Sequence, residues 1–223
     1  VSGPPPDPRS LWEARYGGTD EYLYGTEPND FLRASAAGLA PGDVLCLADG
    51  EGRNGVHLAG LGHRVTSVDL TEAGMAKAAR LAADRGVELT TVVADLADYD
   101  LGTARWDLIV SIFAHLPPPV RARIHGSVAR ALRPGGRLML EAYTPDQIGR
   151  GTGGPPVPEL TMTLDGIRRE LSGMRIESGR ETVRPVVEGP GHTGDGAVVQ
   201  VIAVPDGRSG GPIRHSNGHP SVT

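Results

Sequence analysis

Apolar positions along this chain follow two periods that alternate. Short apolar and β-branched runs at 44–47, 64–69, 89–94 and 106–113 predict strands. Between them, 54–61, 72–85 and 118–132 place apolar side chains three and four apart, as one face of a helix does. Gly86 closes the second of these helices, Pro134-Gly135-Gly136 closes the third, and 137–141 follows as a fifth strand. Ahead of this alternation, Ser10 starts a short helix at 11–16 and Asn29 starts another at 30–38, joined by an irregular arm at 22–28. After a glycine-rich loop at 149–158 comes a helix near 160–171, then an alternating run at 174–187 and an apolar run at 197–204. No crossover helix fits between those two runs, so they predict an antiparallel hairpin.

Short strands separated by amphipathic helices predict an α/β fold, a doubly wound sheet that is mostly parallel with helices on both faces. The chain then divides into an N-terminal arm with its helices, 1–40, a main domain, 41–205, and a tail, 206–223. Gly, Ser and Pro dominate the tail, which predicts disorder, and the proline-rich start before residue 8 predicts a loose segment.

Composition narrows the setting. The 223 residues are 39% hydrophobic and 22% charged, ordinary for a globular domain, and the net charge of −5 carries no basic excess of the kind that draws a protein to nucleic acid. Cys46 is the single cysteine and sits in an apolar run, so it reads as a small buried hydrophobe and excludes an internal disulfide. Without an apolar run of ~20 residues or a signal-like start, the expectation is a cytoplasmic protein with no membrane partner. The Cys and His spacings suit no metal site. His57 and His63, in and just after the first helix of the main domain, read as structural.

The richest stretch is Val44-Leu45-Cys46-Leu47-Ala48-Asp49-Gly50-Glu51-Gly52-Arg53-Asn54-Gly55, where a strand stops in glycines and a helix begins. Glycines admit backbone angles closed to other residues and let a ligand approach the main chain, and a helix start offers unpaired N–H groups. Gly50, Gly52 and Gly55 spell G-x-G-x-x-G. In such sheets ligands bind beyond the carboxyl ends of the strands. The second strand ends in Asp69-Leu70, about twenty residues past the glycines, where a carboxylate suits ribose hydroxyls. The third ends in Ala94-Asp95-Leu96, suited to the exocyclic amine of a base, and the fourth in Ser111-Ile112-Phe113, whose carbonyls suit an ammonium group. Either aspartate taken alone would equally suit a helix cap.

Together these residues resemble the class I S-adenosylmethionine-dependent methyltransferases. The glycine turn resembles that family's first motif, Asp69 and Asp95 fall at its ribose and adenine positions, Trp106-Asp107-Leu108-Ile109-Val110-Ser111 resembles its fourth motif, and Leu132-Arg133-Pro134-Gly135-Gly136-Arg137-Leu138 resembles the turn before its fifth strand. Gly50-Glu51-Gly52-Arg53-Asn54 and Glu141-Ala142-Tyr143 resemble the bacterial TehB-like branch of tellurite-resistance and thiopurine or thiol methyltransferases. The resemblance implies a Rossmann-like seven-stranded sheet in the order 3-2-1-4-5-7-6, S-adenosylmethionine as cofactor and a small-molecule methyl acceptor. Two positions depart from it. The family has an acidic residue and a glycine where this chain has Cys46 and Ala48, so Arg53, Tyr24, Asn29 and the helix start at Asn54 are the candidates to hold the methionine end.

Methyl transfer asks a protein to align its partners and, for a protonated acceptor, to remove a proton. The candidate bases are His115, Glu141, Tyr143 and His192, with Phe113 and Arg184 as candidate acceptor contacts. A thiol or a metalloid oxyanion needs little base catalysis, which suits so small a set. The chain lacks the Asn/Asp-Pro-Pro-Phe/Tyr motif of many amino-directed members, favouring a small acceptor over DNA. Two other readings stay open: an NAD(P)-dependent oxidoreductase, which G-x-G-x-x-G and Asp69 permit, and a non-catalytic S-adenosylmethionine-binding module.

Overall fold

The computed structural model describes residues 7–207. The loose start and most of the tail expected from the sequence lie outside the described residues. Seven strands form one sheet in the order β3-β2-β1-β4-β5-β7-β6. They are β1 (Asp43–Leu47), β2 (Arg64–Asp69), β3 (Thr90–Val93), β4 (Trp106–Ile112), β5 (Leu132–Tyr143), β6 (Met174–Glu188) and β7 (His192–Pro205). The pairs among β1 to β5 are parallel, and β7 runs antiparallel to both β5 and β6. This is the expected Rossmann-like sheet.

Alternation along β1 explains the two faces. Val44 and Cys46 pack with Leu108, Val110 and Met139 under Leu32 and Leu58. Leu45 and Leu47 pack with Ile109, Leu138, Leu140 and Val201 under Ile124, Val128 and Ile167. The first face is covered by α2 (Asp30–Ala36) and α3 (Arg53–Gly60), the second by α5 (Pro118–Ala131) and α6 (Leu164–Glu170). Each fully buried aliphatic side chain stabilises such a sandwich by about 1.5–3 kcal/mol. Cys46 is 1% exposed and is the small hydrophobe expected.

Two more helices position the site. The first, α1 (Pro8–Gly17), is capped by Asp7, whose side chain accepts from Ser10 N, so it starts three residues before the expected place. It docks on α4 (Glu72–Asp84), where the Glu13 carboxylate accepts from Glu72 N at 3.0 Å and Ala73 N at 2.9 Å. A carboxylate there complements the partial positive charge of a helix start.

The hairpin corrects the expected boundaries. Pairing of β6 with β7 runs to Glu188↔His192, so only Gly189-Pro190-Gly191 turns, and β7 starts at His192 rather than near Ala197. Tyr143, the end of β5, pairs with Val198, so the hairpin overhangs the sheet by six residues of β7. That overhang brings Glu188 and His192 over the carboxyl ends of the parallel strands. Among the described residues, no helix is long and apolar enough to cross a membrane.

Candidate active site

The glycine turn sits where the order of strands reverses between β1 and β4. Gly50 and Gly52 have φ of +57° and +84°, and Gly52 begins α3. A Cβ on Gly52 would overlap Ala78 of α4, so both conformation and space require glycine there. Tyr16 of α1 covers the turn, since a Cβ on Gly50 would lie 2.7 Å from its Oη. The Asp69 carboxylate accepts from Gly50 N at 2.9 Å, Thr71 N at 3.0 Å and Thr71 Oγ1 at 2.7 Å. A carboxylate has about four lone-pair sites, so capacity remains for a sugar hydroxyl. Leu70 beside it is half-buried. Asp95 is exposed beyond β3 and accepts from Ala97 N at 2.7 Å, with Leu96 buried next to it. Ser111 and Ile112 are buried at the end of β4. The acids at the ends of β3 and β2 and the glycine turn at the end of the neighbouring β1 fit the adenosine half of S-adenosylmethionine.

The residues that follow the turn do something the sequence does not reveal. Glu51 accepts from Leu23 N at 2.8 Å and Tyr24 N at 3.4 Å and pairs with Lys77 at 2.8 Å. Arg53 donates to Glu27 O at 3.3 Å and pairs with Glu188, and Asn54 Oδ1 accepts from Asn29 N at 3.0 Å. Glu51, Arg53 and Asn54 therefore clasp the arm against the turn. Arg53 and Asn54, expected to hold the cofactor's methionine end, are committed to protein partners.

Asn29 joins two buried carboxylates. Its Nδ2 donates to Glu141 at 2.8 Å and to Glu188 at 2.9 Å, while its Oδ1 accepts from Leu32 N at 3.0 Å as the cap of α2. Arg184 completes the set, pairing with Glu141 at 2.7 Å and Glu188 at 3.0 Å. Two carboxylates meet two guanidinium groups, so the cluster is neutral overall. The structure thus corrects two expectations. Glu141 is 0% exposed and ion-paired rather than a free base, and Arg184, with its pKa raised by those carboxylates, is already occupied rather than open to an anionic acceptor.

His115 is likewise engaged. Its Nδ1 lies 2.8 Å from Leu160 O, which only accepts, so Nδ1 carries the proton, and Nε2 accepts from Tyr143 N at 3.4 Å. Burial pushes its pKa down to about 4. A neutral ring with both nitrogens bonded to main chain is a structural group, not the expected base.

Phe113, Tyr143 and His192 form one aromatic cluster with Tyr24. Phe113 stacks on Tyr143 with centroids 4.6 Å apart, and His192 stands edge-on to Tyr143 at 5.3 Å and to Phe113 at 4.8 Å. Tyr24 closes on His192 at 4.4 Å. The hairpin turn approaches the arm through glycine, and a Cβ on Gly191 would lie 2.5 Å from the Tyr24 ring. Phe113 holds φ of +53°, rare for a side-chain-bearing residue and a mark of strain kept at a site. Tyr143 Oη and His192 Nδ1 are buried with no hydrogen-bond partner among the described residues.

Asp49 is the residue sequence reasoning missed at the departure from the family pattern. It accepts from Ser67 Oγ at 2.6 Å and Gly55 N at 3.2 Å, three positions after Cys46, and burial lifts its pKa to about 7. Ala48, at the usual glycine position, takes φ of +49° all the same. The paired acids Glu188 and Glu51 were also missed, because only their partners in space give them meaning. Among the described residues no group of His, Cys, Asp and Glu is arranged to hold a metal.

Comparison with known proteins agrees with this geometry. Residues 44–136 match a family described as a methyltransferase domain. A 2-heptyl-1-hydroxyquinolin-4(1H)-one methyltransferase of Mycobacteroides abscessus is 28% identical over 130 residues, 55% of this chain and 57% of that protein. The chain therefore spans little more than half the length of that relative. Among solved structures, the protein from work on the conversion of a disulfide bond into a thioacetal group during echinomycin biosynthesis has a TM-score of 0.73 at 24% identity, covering 90% of this chain and 92% of that one. TehB from Haemophilus influenzae has a TM-score of 0.65 at 20% identity, covering 87% and 67%. DhpI, solved with SAH, has a TM-score of 0.59 at 24% identity, covering 89% and 95%. The glycine turn, Asp69 and the antiparallel β7 thus lie in a chain whose residues 44–136 match a methyltransferase domain and whose fold is that of these solved structures.

Proposed function

We propose that this protein transfers a methyl group from S-adenosylmethionine to a small molecule whose nucleophile arrives already ionised, a thiolate or an oxyanion. The carrying observation is that each candidate base is unavailable. Glu141 is ion-paired, His115 is bonded through both nitrogens, and burial holds Tyr143 protonated and pushes His192 down to about 3. When bound, S-adenosylmethionine supplies an electrophilic methyl group on a sulfonium. Asp69 would hold its ribose, Asp95 and Leu96 its base, and the arm would exclude water from the reacting end. The Mycobacteroides relative is named for a substrate with a hydroxyl on nitrogen, which accords with an acidic acceptor. The net charge of −5 supports a small-molecule acceptor over nucleic acid.

Turnover of S-adenosylmethionine with a panel of thiols, selenite, tellurite, N-hydroxy heteroaromatics and amines tests this reading. Product from the ionisable thiols or oxyanions with none from amines is the expected pattern. Amine methylation alone, or binding of NAD(P) in place of S-adenosylmethionine in calorimetry, would overturn it.

A further inference from the structure

We propose that Tyr143 Oη–H and His192 Nδ1–H are the two donors that seat the acceptor's anionic nucleophile, so that these residues act as hydrogen-bond donors and not as bases. This inference rests on the methyl-transfer reading above. Its own support is geometric. Both atoms are buried without a partner among the described residues, in rings whose centroids are 5.3 Å apart at the end of β5 and under the hairpin turn. A buried polar atom left unpaired costs about 1–3 kcal/mol, so two on neighbouring rings at a strand-end site mark the place of a missing partner. Their residues are 0% and 7% exposed.

Chemistry fixes the sign of that partner. Burial, followed by the Glu188 carboxylate, holds the Tyr143 phenol protonated, and a protonated phenol donates to an anion. Around it stand Glu141 from β5, Arg184 and Glu188 from β6, His115 after β4 and Tyr24 from the arm, with Arg53 beyond His192. The two carboxylates are answered by the two guanidinium groups, so the ion-paired cluster carries no net negative charge against an incoming anion. Burial, with Arg53 nearby, keeps His192 neutral, and an anion at Nδ1 selects the tautomer with its proton there. In the reaction the acceptor's lone pair becomes the bond to the methyl carbon, and the broken C–S pair returns to sulfur. The acceptor's negative charge and the sulfonium's positive charge cancel. The acceptor proton has already left to solvent, and Tyr143 keeps its own.

The test uses the full chain saturated with S-adenosylhomocysteine and the chromophoric anion 4-nitrothiophenolate. Donation to its sulfur holds the visible band to the blue of its position in an aprotic solvent, so wild type is expected to bind it with that shift. Tyr143→Phe, which keeps the ring, is expected to abolish the shift and weaken the anion about 10- to 100-fold. S-Adenosylhomocysteine and the uncharged 4-nitrothioanisole should bind the variant as they bind wild type, which shows that the variant is folded. His192→Phe should weaken the anion as well, and the pH inflection of turnover should follow the acceptor's own pKa in every variant. Equal anion binding by Tyr143→Phe, no binding or no shift in wild type, or an inflection that moves with the variant and not with the acceptor would each overturn the seat. Anion binding with the shift but no methylated product from any acceptor would instead overturn methyl transfer and leave the seat standing.

Discussion

Arg53, the first residue of α3, is ion-paired with Glu188, the last residue of β6, across 135 positions of sequence, and their side chains are 8% and 4% exposed. The pair fastens the hairpin to the glycine turn. Removing one partner of a buried pair leaves the other charge uncompensated, so Arg53→Met should lower stability by about 3–5 kcal/mol. Denaturant unfolding of Arg53→Met, Glu188→Gln and the double variant measures it. The double variant should be far less destabilised than the sum of the single changes.

Asn29 uses its amide to donate to Glu141 and Glu188. Asn29→Asp keeps a helix cap and the shape of the side chain but aims a third carboxylate at the other two. It should therefore destabilise more than Asn29→Ala, which loses about 1 kcal/mol of capping together with the two bridging bonds. Equal thermal denaturation midpoints for the two variants at neutral pH would contradict that charge argument.

Asp69 braces Gly50 N and is the proposed partner of the cofactor's ribose. Asn at 69 can still accept from Thr71, but its NH2 group meets the Gly50 N–H donor to donor. Calorimetry should show S-adenosylhomocysteine affinity reduced about 10- to 100-fold by Asp69→Asn. The same variant should lose stability as well, because the turn loses its brace.

Opposed proton linkages run through the acid range, with His115 and His192 on one side and Asp49 on the other. His115 has a pKa held near 4 against an ordinary 6.5, so its contribution is complete above pH 6.5 and is lost as pH falls toward 4. That loss is worth about 3 kcal/mol. Asp49 is raised from 3.8 to about 7, so the folded state binds its proton more tightly and stability falls as pH rises from 4 to 7. Unfolding free energies from pH 4 to 7 should therefore rise more steeply with pH in Asp49→Asn than in wild type, and less steeply in His115→Gln.

Ala48 carries a Cβ at φ of +49°. Relief of that strain by Ala48→Gly is worth about 1–2 kcal/mol, partly offset by the greater freedom of glycine in the unfolded chain. A net gain of about 0.5–1 kcal/mol in denaturant unfolding is expected.

The sheet was legible because strand and helix periods differ and because Gly86 and Pro134-Gly135-Gly136 punctuate them. The start of β7 was not, since His192-Thr193-Gly194-Asp195-Gly196 has no apolar alternation and becomes strand only through its pairing with β6. For the same reason β5 begins at Leu132 rather than Arg137, passing through Pro134-Gly135-Gly136 with a register shift against β4. Around 160–171 the expected helix is cut to Leu164–Glu170, because Thr163 caps it and Pro158–Leu160 forms a separate 3-10 turn. At the site, strand ends located Asp69, Asp95 and Tyr143, because position along a parallel strand is readable from sequence. Glu141 and Arg184 misled because their roles depend on sheet register. Arg184 sits opposite Gly196 and Glu141 opposite Gln200, which places two distant charges in contact. Arg53 and Asn54 misled differently, since adjacency to the glycines says nothing about which way their side chains turn.

The insertion of β7 between β5 and β6 gives the site an order of assembly. During synthesis β1 to β5 can pair as they emerge, but β5 keeps an open edge, and Glu141 waits without its guanidinium partner, until β7 has been made and threaded into place. Those closing contacts join segments far apart in sequence, the kind that form late and slowly. The nascent sheet therefore exposes an apolar edge at Leu138 and Leu140 from the completion of β5 until β7 is in place. Completion of this one strand both shields that edge and delivers His192 to the proposed seat, so a chain that has not yet built that seat is also one still prone to aggregate.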